Sequence, residues 1–255
     1  MSHGVSLSIA FALTLVSAPL RAQSQPSAGT PADRGFLTIN GGYQQPSSFS
    51  DTARPTQFVE PGTIETAYRP KAGPELDGGG GVRVWRRLAV AVNVAFYSRA
   101  AGGTVNAQVP HPLLFGRPRA VQGEAPALTR REIATHIQAV WMAPLGGPDS
   151  RWRLDLAGGP SIFNIRQAVV ENVTLLEVYP FDVGTLGTVV SRSIAKSGAG
   201  FNVGADLSYM LTAKVGVGTG VTFSRARISL PEADGHELRV DAGGAHVGAG
   251  IRIRF

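Results

Sequence analysis

From Gly35 onward the chain alternates apolar side chains with polar ones or Gly, and eight such runs can be counted. Period-two alternation describes a strand with one face in an apolar medium and the other in a polar one. The clearest run sets Leu88, Val90, Val92, Val94 and Phe96 against Ala89, Ala91, Asn93, Ala95 and Tyr97. Others lie at residues 36–43, 78–85 (reaching back as far as 64), 130–141, 152–162, 198–209, 215–224 and 245–255. Each apolar set covers roughly 9–11 residues, the length a tilted strand needs to cross a bilayer.

The spacing between runs supports the same architecture. Short turns at 85–88, 145–151 and 211–214 alternate with long segments at 44–64, 99–129 and 166–193, then a shorter one near 231–237. Short turns at one end and long loops at the other predict an up-and-down barrel, with even strand number returning the chain to its starting side. Trp85, Trp141, Trp152 and Tyr209 fall at one end of the spans, and Tyr43, Phe96 and Phe223 at the other, as interfacial girdles do. A soluble β-barrel or sandwich also alternates, but with the Val and Leu face buried, and period alone does not separate the two.

Residues 5–20 form an apolar stretch close to Met1, too short for a typical spanning helix, and are expected to act as a secretory signal cleaved after Ala22. Residues 23–34, rich in Ser, Pro, Ala and Gly, are expected to be a flexible leader to a barrel domain at 35–255. The absence of Cys excludes a disulfide framework and a lipidated Cys. The formal charge of +6 comes from basic residues scattered singly or in pairs, without an aromatic-interleaved patch, so nucleic acid is not an expected partner.

These features together, with the aromatic Phe255 closing the last alternating run, resemble the small eight-stranded bacterial outer-membrane barrels of the OmpA, OmpX and OmpW-like group. The resemblance covers residues 35–255 and concerns architecture. It implies an all-β, antiparallel barrel in the outer membrane of a Gram-negative cell, a monomer bathed in outer-membrane lipid and lipopolysaccharide. It also implies that Ile251, Ile253 and Phe255 on the C-terminal strand carry the signal read by the barrel assembly machinery.

Two long segments hold strand-like runs of their own. Residues 104–109 and 119–123 flank one Pro-rich centre, and 168–178 and 185–194 flank another, predicting two tall extracellular hairpins beyond the membrane. Their tips, Leu113, Leu114, Phe115, Tyr179 and Phe181, are candidate contacts for an outside partner unless they pack on one another over the barrel mouth.

The inward positions include Asp77, Arg83, Arg130, Glu132, His136, Arg153, Asp155, Asp206, Arg252 and Arg254. Both signs are present, and buried charges must pair, so a charge network filling the lumen is expected. The inward Gly residues of the last three runs leave the alternative of a narrow passage for small or apolar solutes. His136 is expected near Asp155, and His246 near Gly220 and Ser224, without a Ser/His/acid arrangement facing lipid. No catalytic residue, cofactor or metal-ligand spacing is expected, and a lipid A-modifying enzyme is the weakest reading. The role expected is structural or surface interaction through the hairpins.

Overall fold

The computed structural model describes residues 34–69, 71–146, 150–231 and 237–255, so the expected signal and all but the last residue of the expected leader lie outside the described residues. Twelve strands follow in order: β1 Gly35–Pro46, β2 Phe49–Ala53, β3 Thr56–Gln57, β4 Glu60–Pro61, β5 Thr63–Tyr68, β6 Gly73–Trp85, β7 Leu88–Val109, β8 Arg119–Leu145, β9 Trp152–Glu177, β10 Gly184–Met210, β11 Val215–Pro231 and β12 Glu237–Arg254. Eight of them close a ring, β1-β6-β7-β8-β9-β10-β11-β12, and every ladder is antiparallel.

Closure comes from β1 against β12, in register from Phe36↔Arg254 to Pro46↔Gly244. At the turn end, Arg34 and Gly35 donate their N–H groups to the Phe255 carbonyl at 2.9 and 2.8 Å, and Phe255 donates back to Gly35 at 3.0 Å. The tight connection Arg86-Arg87 joins β6 to β7 directly above Trp85↔Leu88, with Arg86 at φ 35°. A two-residue hairpin requires positive φ to match strand twist.

The faces decide between the two architectures that alternation allows. Around the ring the large apolar side chains point out: Ile39 is 62% exposed, Val92 43%, Val217 46% and Ile251 50%. Their inward neighbours Asp77, Glu132, Asn202 and Arg252 are buried. The molecule is therefore a barrel with an apolar outer wall.

Higher up β7, β11 and β12 the polarity inverts without a change of phase. On β7, Val105, Ala107 and Val109 turn inward and are buried, while Thr104, Asn106 and Gln108 turn outward. Likewise Ile228 and Leu230 on β11, and Leu238 and Val240 on β12, are buried between outward Arg227 and Arg239. This upper section has a soluble-protein core that also takes in Ile64, Phe163, Val169 and Val173. Both expected hairpins form, as β7–β8 and β9–β10, and each continues a ring strand without interruption.

Two expectations are corrected. The runs expected to end at 224 and to resume at 245 do not stop there: β11 and β12 pair up to Pro231↔Glu237, making a third tall hairpin. The segment 44–64 is not a plain loop either. It carries β2, which pairs with β5, and β5 extends the wall beside β7. Both were hidden because an inverted pattern with polar outward residues reads as loop when lipid-facing strands are sought.

The ladders joining neighbouring hairpins stop near the inversion. The β8–β9 ladder reaches no higher than Arg130↔Gln167, β10–β11 no higher than Gly200↔Ala226, and β1–β12 ends at Pro46↔Gly244. Above the ring three lobes (β2-β5-β7-β8, β9-β10 and β11-β12) meet through side chains rather than backbone ladders. Leu230, fully buried where they meet, tests this. Leu230→Ala should cost about 2–5 kcal/mol in urea unfolding, with protease cuts appearing first in 168–194. Unchanged stability would mean that the lobes do not share a core.

Candidate functional site

Alternation places one inward side chain at every second position, so charged groups on distant stretches of sequence converge in the lumen. The inward residues expected from sequence all face it, but they assemble into separate clusters rather than one network. Near the turn end, Arg153 pairs with Asp155 at 2.8 Å, two residues away on the same strand. Arg83 and Arg254 are half-buried at this end.

In the middle of the ring, Arg252 binds Asp206 with both sides of its guanidinium, Nε to Oδ1 at 3.0 Å and Nη2 to Oδ2, and donates from Nη1 to Asn40 Oδ1 at 2.5 Å. Gly218 makes this fit: a β-carbon there would stand 2.9 Å from Arg252 Nε. Gly218 on β11 thus houses a guanidinium. Asn40 also donates to Asp77 Oδ1 at 2.8 Å, and Asn93 donates to the same oxygen at 2.9 Å. Asp77 Oδ2 and Glu75 Oε1 lie 3.4 and 3.3 Å from the two ring nitrogens of His246.

At the level of the inversion, Arg130 donates from Nε to Glu132 Oε1 and from Nη2 to the Asp241 carbonyl at 2.5 Å. Glu132 Oε2 accepts from Gln44 at 3.2 Å and from the Gly243 amide at 2.9 Å. This layer roofs the lumen, with the apolar core directly above it. A cavity of about 100 Å³ remains below His246, and only about 10 Å³ beside Tyr97 and Glu132 above it. The second space is no more than the roughly 10–15 Å³ that a single water needs.

His136 does not face Asp155. It lies opposite Ser161, with Nδ1 2.7 Å from Ser161 Oγ, while Asp155 lies opposite Met142. Ser161 Oγ also accepts from Asn202 at 2.8 Å, and Asn202 Oδ1 accepts from Gln138 at 2.7 Å. The Ser–His pair is buried inside the ring, away from the lipid-facing wall. Sequence reasoning overlooked Glu75, Gln44 and the Asn40–Asn93 pair as cluster members, because neutral amides carry no charge signal and Glu75 precedes the recognisable part of its run.

The second site is the tip. His111 Nδ1 accepts from the Leu113 and Leu114 amides at 3.1 and 3.2 Å. Arg119 donates to Glu177, to the Phe181 carbonyl at 2.6 Å and to the Pro110 carbonyl at 3.1 Å, tying two hairpin tips together. Phe181 packs edge-on against Tyr179. Leu113, Leu114 and Tyr179 stay exposed, and Phe115 is 81% exposed; Val178 and Val183 join them.

The architecture is that of a small eight-stranded membrane-type barrel. No family model matches the chain, and no curated protein matches it. Among solved structures, Neisserial surface protein A is 12% identical, over 87% of this chain and 97% of that one, with a TM-score of 0.42. The outer membrane protease OmpT from Escherichia coli is 10% identical, over 91% and 99%, at 0.47. Ail, the attachment invasion locus protein of Yersinia pestis, is 10% identical, over 86% and 99%, at 0.37.

Arg252 offers the direct test of the lumen. Arg252→Ala strands Asp206 and Asn40 and should cost about 3–5 kcal/mol, measured by urea unfolding in lipid vesicles. The pair replacement Arg252→Met with Asp206→Leu should recover most of that loss. A silent Arg252→Ala would mean that the guanidinium is not buried against its partners.

Proposed function

We propose that this chain is an outer-membrane barrel that acts as a structural and surface-interaction protein, presenting its three-lobed extension to a partner outside the cell. One observation carries the reading: the outer wall is apolar for one membrane thickness and polar above it. The ring thus suits lipid, and the extension suits water. In water, Leu113, Leu114, Phe115, Val178, Tyr179 and Val183 are exposed apolar groups on two tips tied together by Arg119. An exposed apolar patch on an ordered platform marks a recognition surface.

Lipopolysaccharide is the neighbour the rim suits. Arg131 and Arg166 stand opposite each other across β8–β9, exposed, one outward position above Ile133. Like charges directly opposed destabilise a sheet, and an anionic phosphate between them removes the penalty. The chain acts as a monomer and enters the membrane through assembly of β12, whose Ile251, Ile253 and Phe255 belong to the outer wall.

Neither passage nor catalysis is its role in this reading. Arg252–Asp206, the His246 cluster and the Arg130–Glu132 roof obstruct the lumen in succession. Planar bilayers containing the full chain should therefore give no reproducible conductance steps; steps of defined size would overturn the plugged-barrel reading.

The tip is tested by replacing Leu113, Leu114, Phe115 and Tyr179 with Ser. Binding of bacteria expressing the protein to immobilised host matrix or to envelope protein should fall at least tenfold, while barrel folding, followed by heat-dependent gel mobility, stays unchanged. Equal binding by the variant would remove the tip from the function.

A further inference from the structure

One acidic pair in the lumen stands apart from the arginine ion pairs. Arg252 is committed to Asp206, Arg130 to Glu132 and Arg153 to Asp155. Glu75 and Asp77 share a single basic neighbour, His246, which at most supplies one positive charge against two negative ones. Both carboxylates are buried, Asp77 to 7% exposure. Among the described residues, Asp77 Oδ2 and His246 Nε2 have no hydrogen-bond partner, although they face each other at 3.4 Å.

Local structure gathers these groups around the imidazole, with Glu75 beside Nδ1 and Asp77 beside Nε2. Glu75 and Asp77 are two residues apart on β6, so both turn inward. Asn40 and Asn93 hold Asp77 Oδ1 from either side and leave Oδ2 directed at His246, the kind of outer support that orients a metal-ligating carboxylate. His246 comes from β12, one strand beyond β1, and its Nε2 lies over Gly248, where a β-carbon would stand 3.2 Å away. One donor atom from each of the three lies within 4.8 Å of the others. A 3.4 Å gap between oxygen and nitrogen is also the spacing of two donors on one tetrahedral ion at about 2.0–2.1 Å. The adjoining cavity of about 100 Å³ gives room for water to complete the coordination.

We propose that Glu75, Asp77 and His246 form a binding site for one divalent transition-metal ion inside the barrel. Two carboxylates with one imidazole suit a borderline ion, and Zn²⁺ is the best match. The ion joins β6 to β12 across β1, reinforcing the seam where the ring closes. Ligand spacing in the sequence gives no hint of this, because the donors meet only through barrel closure.

The test uses the full mature chain without a histidine tag, refolded in detergent micelles, stripped with EDTA and titrated with ZnCl₂ by calorimetry at neutral pH. The expected result is one ion per chain, with Asp77→Asn and His246→Gln each weakening affinity at least tenfold. The urea midpoint should rise with Zn²⁺ in the wild type alone. No saturable binding, or equal affinity in the variants, would overturn the site and point to surface histidines. So would a His246→Gln destabilisation equal with Zn²⁺ and with EDTA, which would mark an imidazolium acting alone. Should the variants fail to fold, X-ray absorption on the Zn²⁺-loaded wild type decides: one imidazole with carboxylate oxygens supports the site, and several imidazoles overturn it.

Discussion

Every other property of the molecule follows from the β1–β12 ladder. A strand edge exposes unpaired N–H and C=O groups, and in a hydrocarbon medium each costs several kcal/mol. Pairing from Phe36↔Arg254 to Pro46↔Gly244 removes both edges of the ring at once. Only then can the outer wall be built mostly from Val, Leu, Ile and aromatic side chains. The same closure brings Glu75, Asp77 and His246 to one place, although their stretches of sequence are far apart.

A ring of eight strands leaves an interior that side chains just fill, and here polar groups do most of the filling. Their arrangement is layered: ion pairs at the turn end, the Arg252–Asp206–Asn40 group in the middle, the Arg130–Glu132 roof on top. Above the roof the interior changes from charged to aliphatic, and ladders between neighbouring hairpins end. Once water surrounds the wall, free strand edges are tolerable, and packing of Leu230, Val240 and Val169 takes over from the ladders between hairpins. Lipid demands closure; water does not.

Much of this was legible in the residues. The lipid-facing runs, the strand count, both predicted hairpins and the direction of each side chain in the ring follow from period two. What escaped has a physical cause. The β11–β12 extension and β2 carry their apolar residues on the opposite face, so a search for outward Val and Leu passed over them. His136 was assigned to Asp155 because the register between β8 and β9 is set by long-range pairing, which no local pattern encodes; it meets Ser161 instead. The separate ion pairs also depend on reach: Arg153 and Arg130 each find a carboxylate two residues along their own strand.

The inversion of polarity on β7 acts as a waterline. Sliding the barrel outward by two residues would lift Phe96 from oil into water, and sliding it inward would drown Thr104 and the arginines of the rim. Each direction is penalised by a different chemistry, so the draught of the vessel is fixed from both sides. The protruding tips consequently stand at a constant height above the surface, whatever they meet there.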